Sequence, residues 1–229
     1  EITFGATPVE TGTTEDGRSN ALLDVAEDQT LVIRISETNP DDYIRDIQLF
    51  MPYHAGQSLE MDNWQPGNDE SPFHPLFIER LQPFETIRFM QWQQVNADGR
   101  DVLTANDLRP ASHANQGSTS RSSYNGVSME YQVQLVNELG ADGWFNMPHQ
   151  ADDDYVREFA EHVRDNLHDD GVAYVEWSNE VWNSAFGFAA NRWVQDQMEL
   201  PDNEGLGFFD VWAQEAQRDF EIWSDVFAG

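Results

Sequence analysis

The sequence contains neither cysteine nor lysine, and each absence excludes classes of function. Without cysteine the chain has no disulfide, no thiolate nucleophile and no zinc–thiolate site. All 12 basic residues are arginine, against 42 Asp and Glu, which gives a formal net charge of −30. An acidic surface of this size repels nucleic acids and anionic membranes, so we expect neither as a partner.

The sequence also lacks any apolar run long enough to span a bilayer, and no signal peptide is visible. It begins at Glu1 rather than Met, so we expect an upstream segment that was removed or left out. The acidic residues are dispersed along the chain, which is typical of a protein that works in high salt, where charge repulsion is screened. We therefore expect a secreted, extracellular protein of a high-salt environment; the alternative is an ordinary acidic protein.

Two regions differ in their pattern. Residues 1–72 are predicted to be β-rich, with short strands at Ala21–Val25, Leu31–Ile35 and Ile44–Met51. A long loop, Tyr53–Pro75, rich in Gly, Pro, Asn and Asp, follows them. Hydrophobic residues make up 39% of the chain, which is enough for a core.

Residues 73–229 alternate between helices and strands. Strands separated by helices of this length form right-handed βαβ units, so we predict an α/β fold with a parallel sheet. A second long loop is predicted at Asn96–Asn125. The predicted strands are Thr86–Met90, Trp144–Met147 and Val172–Trp177, and the predicted helices are Pro75–Leu81, Ser128–Leu139, Asp152–Leu167, Phe186–Met198 and Phe208–Phe227.

The last predicted strand is Val172–Trp177, and we expect this strand to be buried on both faces. The residues at its carboxyl end are the most informative segment of the chain. In parallel α/β folds, ligands bind beyond the carboxyl ends of the strands. A single His or Arg at such a position is usually structural, but three polar strand ends in succession indicate a site. These ends carry Arg88, Gln91 and Trp92; Asn146 and His149; and Ser178, Asn179 and Glu180.

At these residues the chain resembles a known family. Glu176–Asn183 resembles the end of strand four in the retaining glycoside hydrolases with a (β/α)₈ barrel, the clan that includes cellulases and mannanases. Arg88 is similar to the clan's strand-two Arg, and His149 to the polar residue that often follows strand three. Phe73–Trp92 and Pro148–Tyr155 are similar to bacterial proteins labelled cellulose-binding or cellulase-like. The likeness covers roughly two-thirds of the chain.

The resemblance implies a partial (β/α)₈ TIM-type barrel, residues 73–229, preceded by the β-rich segment 1–72. It implies a glycoside hydrolase that acts on a β-linked polysaccharide by a retaining mechanism, without a metal or other cofactor. Glu180 would be the general acid/base and Asn179 would bind the sugar 2-hydroxyl. Arg88 and His149 would support the pocket.

The chemistry of glycoside cleavage is compatible with these residues. A carboxylic acid protonates the leaving oxygen, and in a retaining enzyme a second carboxylate about 5 Å away is the nucleophile. We expect Glu180 to be shielded from water between Trp177 and Trp182. Trp92, Trp177 and Trp182 are candidate platforms for sugar rings, and their alternative role is core packing.

The nucleophile is not identified in this chain. The clan places it at the end of strand seven, whereas the sequence ends after the helices that follow the fourth strand. Glu204, Glu215 and Glu221 lie in predicted loops or helices, so none of them is assigned. We therefore expect a missing segment or a second chain to complete the barrel.

The sequence leaves two other functions open. One is a non-catalytic carbohydrate-binding or assembly module with an aromatic cleft. The other is a metal-dependent hydrolase built on His149 and the acidic run Asp152–Asp154. That run is better explained as the cap and acidic first turn of a helix. Asn137-Glu138, a second Asn-Glu pair, lies inside a predicted helix and is expected to face solvent.

Overall fold

The computed structural model describes residues 2–4, 6–13, 17, 19–26, 31–41, 43–44, 47, 71–96, 102–113, 116–117 and 126–229. The backbone separates into two compact units, Glu1–Leu76 and Phe77–Gly229. No helix in the described part of the chain combines the length and the apolar character that a membrane span requires.

The first unit contains two antiparallel strand pairs. Strand β1 (Ile2–Phe4) pairs with β4 (Ile33–Ile35), and β2 (Thr7–Thr13) pairs with β3 (Ser19–Asp24). Strands β3 and β4 overlap two of the predicted strands, whereas β1 and β2 were not predicted. The predicted strand Ile44–Met51 and the loop Tyr53–Pro75 lie largely outside the described residues.

From residue 75 onward, helices and parallel strands alternate. The sheet contains three strands, β5 (Thr86–Arg88), β6 (Asp142–Met147) and β7 (Ala173–Trp177), in that spatial order, and both pairings are parallel. This arrangement establishes a mixed α/β fold. The α-helices are α1 (Pro75–Leu81), α2 (Met129–Leu139), α3 (Asp153–Asn166), α4 (Ala189–Met198) and α5 (Phe208–Ala228), and 3₁₀ turns occupy Ala105–Asp107 and Pro201–Asn203.

Local capping explains where the helices around β6 begin and end. The Ser128 hydroxyl accepts a hydrogen bond from the Tyr131 N–H at 3.4 Å, and Gly140 ends α2 with a left-handed φ of 61°. The Asp152 carboxylate accepts from the Tyr155 N–H at 2.8 Å, so Asp152 is the cap of α3. Asn137 is exposed, but its amide donates to the Asn166 carbonyl at 2.7 Å. Its amide therefore joins the C-terminal ends of α2 and α3.

Helices α3 and α5 cover one face of the sheet, and Phe145 of β6 shows which face. Its ring stacks on Phe89 at 5.5 Å and on Trp223 of α5 at 6.0 Å, and it meets the edge of Phe159 of α3 at 5.7 Å. Side chains alternate along a strand, so Trp144 and Asn146 lie on the opposite face.

The prediction that the last strand is buried on both faces is wrong. Tyr174 of β7 is 47% exposed, because the helices cover only the face that carries Val175 and Trp177. Trp177 belongs to a second core cluster that includes Val181 and Val211. The uncovered face of the sheet is therefore accessible beside β7.

Candidate functional site at the carboxyl ends of the strands

An ion pair crosses the sheet from β5 to β7. The Nη2 atom of Arg88, the last residue of β5, lies 2.6 Å from Oε2 of Glu176 in β7, and Nε donates to the same oxygen at 3.0 Å. The guanidinium carbon lies 5.0 Å from the ring centroid of Trp144 on the intervening strand, within cation–π range. The parallel register places Trp144 directly between the two strands that the pair joins.

Three asparagines extend this ion pair into a network. Asn146 donates through Nδ2 to Glu176 Oε2 at 2.7 Å and to the Ser178 carbonyl at 2.9 Å. Arg88 Nη2 also donates to Asn179 Oδ1 at 2.9 Å, and Asn179 Nδ2 donates to Asn96 Oδ1 at 3.3 Å. Asn146 and Asn179 are both buried, so the network fixes the direction of each amide.

The backbone turns sharply where β7 ends. Ser178 and Glu180 both adopt left-handed conformations, with φ of 59° and 43°. Such conformations cost about 1 kcal/mol or more for residues with a Cβ, and they concentrate at functional sites. The Ser178 N–H donates to the Met147 carbonyl at 2.7 Å, which extends the pairing with β6 into the turn. Two residues with strained backbone conformations therefore flank Asn179 in the chain.

Glu180 is exposed, so the expectation that two tryptophans shield it from water is wrong. Asn183 Nδ2 donates to its Oε2 atom at 2.9 Å. Trp182 is 63% exposed, whereas Trp177 is only 3% exposed and packs on Trp193 at 5.7 Å. Trp177 occupies the helix-facing side of β7, so its ring is part of the core and is not a sugar platform.

The two remaining candidates lie in packed surroundings. His149 is buried, and its ring meets the edge of Trp193 at 6.0 Å. Trp92 is half-buried and packs on Phe89 at 5.4 Å. Among the predicted site residues, Arg88 and Asn179 are the pair brought into direct hydrogen-bond contact.

Glu176 is the residue of the candidate site that sequence reasoning missed, although its segment was noted. Asn146 was recognised as a polar strand end but was not assigned to the site, and Asn96 was assigned to a loop. The signal for Glu176 is an isolated carboxylate in an apolar strand, because such a group requires a cationic partner. Arg88 in the first parallel strand is such a partner.

The acidic run after β6 has a structural role. Asp152 caps α3 and Asp153 and Asp154 lie in its first turn, as the sequence analysis predicted. Over the described ranges, no group of three or more His, Cys, Asp and Glu residues could hold a metal ion. The candidate site at the strand ends offers a guanidinium, carboxylates and oriented amides, all of which are hydrogen-bonding groups.

A second charged cluster holds the turn between β6 and α3. Arg218 of α5 donates through Nη2 to the Ala151 carbonyl at 2.7 Å and contacts the carboxylates of Glu215 and Asp219 at 3.3 Å and of Asp153 at 3.5 Å. Desolvation by burial raises the pKa of Asp219 to about 7, even though Arg218 opposes the shift. Desolvation also raises the pKa of the Glu215 carboxyl.

Comparisons with protein-family models, with curated proteins and with solved structures found no match to this chain.

Proposed function

We propose that this chain is a glycoside hydrolase-like protein that acts on a β-linked polysaccharide by a retaining mechanism, with Glu180 as the general acid/base. The observation that supports it best is the hydrogen bond from Arg88 to Asn179 at the carboxyl ends of parallel strands. It fixes the amide of the Asn-Glu pair beside an exposed carboxyl group. A polysaccharide must reach its acid catalyst from solvent, and Glu180 is open to such an approach.

The hydrogen bonds assign a role to each group. Arg88 donates to Asn179 Oδ1 and Nδ2 donates one hydrogen to Asn96, so the second Nδ2 hydrogen is the one that would donate to a sugar hydroxyl. Asn183 donates to Oε2 of Glu180, so Oε1 is the oxygen that would carry the proton to the leaving group. Retention also requires a second carboxylate as the nucleophile, and the proposal assigns that role to no residue of the described ranges.

We propose further that the sheet is one side of a (β/α)₈ barrel. The spatial order β5-β6-β7 follows the chain order, and helices α3 and α5 cover one face of the sheet, which supports this proposal. The net charge of −30 supports a high-salt environment, because salt screens the repulsion between acidic groups.

Hydrolysis of aryl β-glycosides in molar salt tests the proposal. Glu180→Gln keeps the shape of the side chain but removes its proton donor, so kcat should fall by about 10²-fold or more. Glu204→Gln is the matched control, because it makes the same charge change at another exposed glutamate. Equal activity in the wild type and Glu180→Gln would remove Glu180 from the mechanism.

A non-catalytic carbohydrate-binding module is the second candidate, and the exposure of Trp182 favours it. This ring is 63% exposed beside Glu180, where it can lie against the apolar face of a sugar. Such a module would bind insoluble glucan without turnover, and Trp182→Ala would abolish the binding. Turnover that depends on Glu180 would rule this alternative out.

A further inference from the structure

The chain turns between two buried side chains where β7 ends. Trp177, the last residue of β7, and Val181 both belong to the second core cluster, and Glu180 between them is exposed. We call residues 178–181 the Glu180 turn. The ladder of backbone hydrogen bonds between β6 and β7 ends at the Ser178 N–H, so the carbonyl groups of this turn need donors from outside the sheet.

Asn191 of α4 supplies one of these donors. It is one of the four buried residues of α4, and the other three are alanine or valine. A buried amide is costly unless it is hydrogen-bonded. The Nδ2 atom of Asn191 donates to the Val181 carbonyl at 2.7 Å. Gln195, one helical turn later, donates to Asn191 Oδ1 at 2.6 Å, which directs Nδ2 toward the turn.

Asn146 of β6 supplies a donor at the other end of the turn. Its side chain is buried, and its Nδ2 atom donates to the Ser178 carbonyl at 2.9 Å. Between the two ends, the Glu180 carbonyl accepts from the N–H of Asn183 at 2.7 Å. Two buried asparagines from different elements therefore bind the carbonyls of the first and last residues of the Glu180 turn.

These two hydrogen bonds oppose the relaxation of a strained backbone. Ser178 and Glu180 have φ of 59° and 43°, and such conformations persist only where the surrounding structure fixes them. Without one of the donors, a carbonyl loses its hydrogen bond and the backbone of the turn is free to relax. The direction of the Glu180 side chain would change with the backbone.

We propose that Asn191 and Asn146 are positioning residues, which hold the Glu180 turn in the conformation that presents the acid/base to the substrate. The catalytic part of this inference rests on the proposed function. Asn146 also donates to Glu176, so its removal would disturb the ion pair with Arg88 as well. The hydrogen bond from Asn191 does not involve this ion pair, so Asn191 is the residue to change.

The first measurement is the hydrolysis of aryl β-glycosides by the full chain in molar NaCl. Asn191→Ala removes the donor and leaves Glu180 in place, so we expect kcat to fall about tenfold or more while KM changes less than about twofold. Asn191→Ser, which keeps a small polar group, is the milder variant and should show the same separation of kcat from KM.

Asn203→Ala is the matched control. Asn203 Nδ2 donates to the Gln197 carbonyl at 2.9 Å, so this variant removes the same kind of hydrogen bond at the carboxyl end of α4, away from the Glu180 turn. Its kcat should stay within about twofold of the wild type.

The second measurement does not depend on activity. Trp182 follows the Glu180 turn, and its exposed ring can be labelled as fluorotryptophan and assigned by comparison with Trp182→Phe. We expect the fluorine NMR resonance of Trp182 to shift or broaden in both Asn191 variants and to keep its wild-type position in Asn203→Ala. Urea unfolding of each variant shows that the protein measured is folded.

The inference and the proposed function fail separately. Wild-type kcat in a folded Asn191 variant, beside hydrolysis that Glu180→Gln abolishes, would overturn the inference alone. An equal fall in kcat in Asn203→Ala would also overturn it, because that result would indicate a general effect on α4.

If the wild type shows no hydrolysis that depends on Glu180, the hydrolase is rejected and the fluorine resonance decides the inference. A shift in the Asn191 variants but not in Asn203→Ala then supports the role of Asn191 in holding the turn. An unchanged resonance in the Asn191 variants rejects that role.

Discussion

Arg88 and Glu176 belong to strands that do not touch, yet their side chains meet across β6 at 2.6 Å. The ion pair closes over Trp144, and it is the contact through which the first and third strands of the sheet interact directly at the candidate site. The ion pair therefore couples the packing of the sheet to the orientation of the Asn179 side chain, because Asn179 Oδ1 also accepts a hydrogen bond from Nη2 of Arg88.

The first prediction concerns this pair. Arg88→Ala leaves the carboxylate of Glu176 without its cation, so we expect the free energy of unfolding to fall by about 1–2 kcal/mol, since both side chains are partly solvated. Urea unfolding of Arg88→Ala, Glu176→Gln and the double variant gives the coupling energy. The exposed pair Arg164–Asp165 is the control and should couple more weakly, because solvent screens it. Equal coupling in the two pairs would contradict the prediction.

The second prediction concerns Asp219, which faces Arg218 and Glu215 of its own helix and Asp153 of α3. Its pKa in the folded protein is about 7, above the ordinary value of 3.8, so the folded state holds the proton more tightly than the unfolded state. Stability should therefore fall as pH rises from about 4 to about 7 and change no further through this group above that range.

Asp219→Asn removes this loss of stability with rising pH, because the asparagine side chain does not titrate. We expect the variant to be the more stable protein at pH 8, by up to about 4 kcal/mol, with little difference near pH 4. Urea midpoints at both pH values measure the effect. Asp225→Asn, at an exposed position of the same helix, should leave the pH profile as it is in the wild type. A wild-type profile in Asp219→Asn would show that the buried carboxyl does not titrate in this range.

The third prediction concerns Gly143 of β6. A Cβ atom at this position would come within 2.4 Å of the Phe145 ring, which is fully buried between α3, α5 and Phe89. Gly143→Ala should therefore displace that ring and lower the free energy of unfolding by about 2–3 kcal/mol. Gly140→Ala is the comparison, because a Cβ there meets open space and only the φ of 61° opposes it, at about 1 kcal/mol. Thermal unfolding would rank the two, and the reverse order would contradict the packing described for Phe145.

The fourth prediction concerns salt. With a net charge of −30, the folded chain repels itself at low ionic strength, so its melting temperature should rise steadily between 0.1 M and molar NaCl at pH 7. The effect should nearly vanish near pH 4, close to the isoelectric point of about 4.1, where the repulsion is removed by protonation. A melting temperature that does not depend on salt at pH 7 would contradict high-salt adaptation.

Sequence reasoning succeeded where a structural signal is local. The bounds of α2 and α3 follow from Ser128, Gly140 and Asp152, residues whose preferences act within one turn of a helix. The alternation of helices and strands likewise predicted the parallel sheet, because connections of this length leave few other topologies. Helix α1 was predicted with the bounds at which it is found.

Prediction from the sequence failed where the position of a side chain depends on contacts between segments that are far apart in the chain. Glu176 and Arg88 are 88 residues apart, and only the register of three strands shows that they meet. Trp177 was assigned to the site because it adjoins Asn179 in sequence, but alternation along β7 directs it into the core. Strand β2 was missed because every side chain in it is exposed, so that strand shows no alternating pattern.

The two acceptors bound to Arg88 affect how chloride can compete for this side chain at high salt. At molar salt, chloride is abundant enough to occupy a guanidinium group whose donors are open to solvent. Glu176 and Asn179 already occupy Nε and Nη2 of Arg88, so a competing anion would have to displace a fixed carboxylate and a buried amide to reach them. These two contacts therefore make Arg88 less accessible to chloride than a guanidinium group whose donors all face solvent.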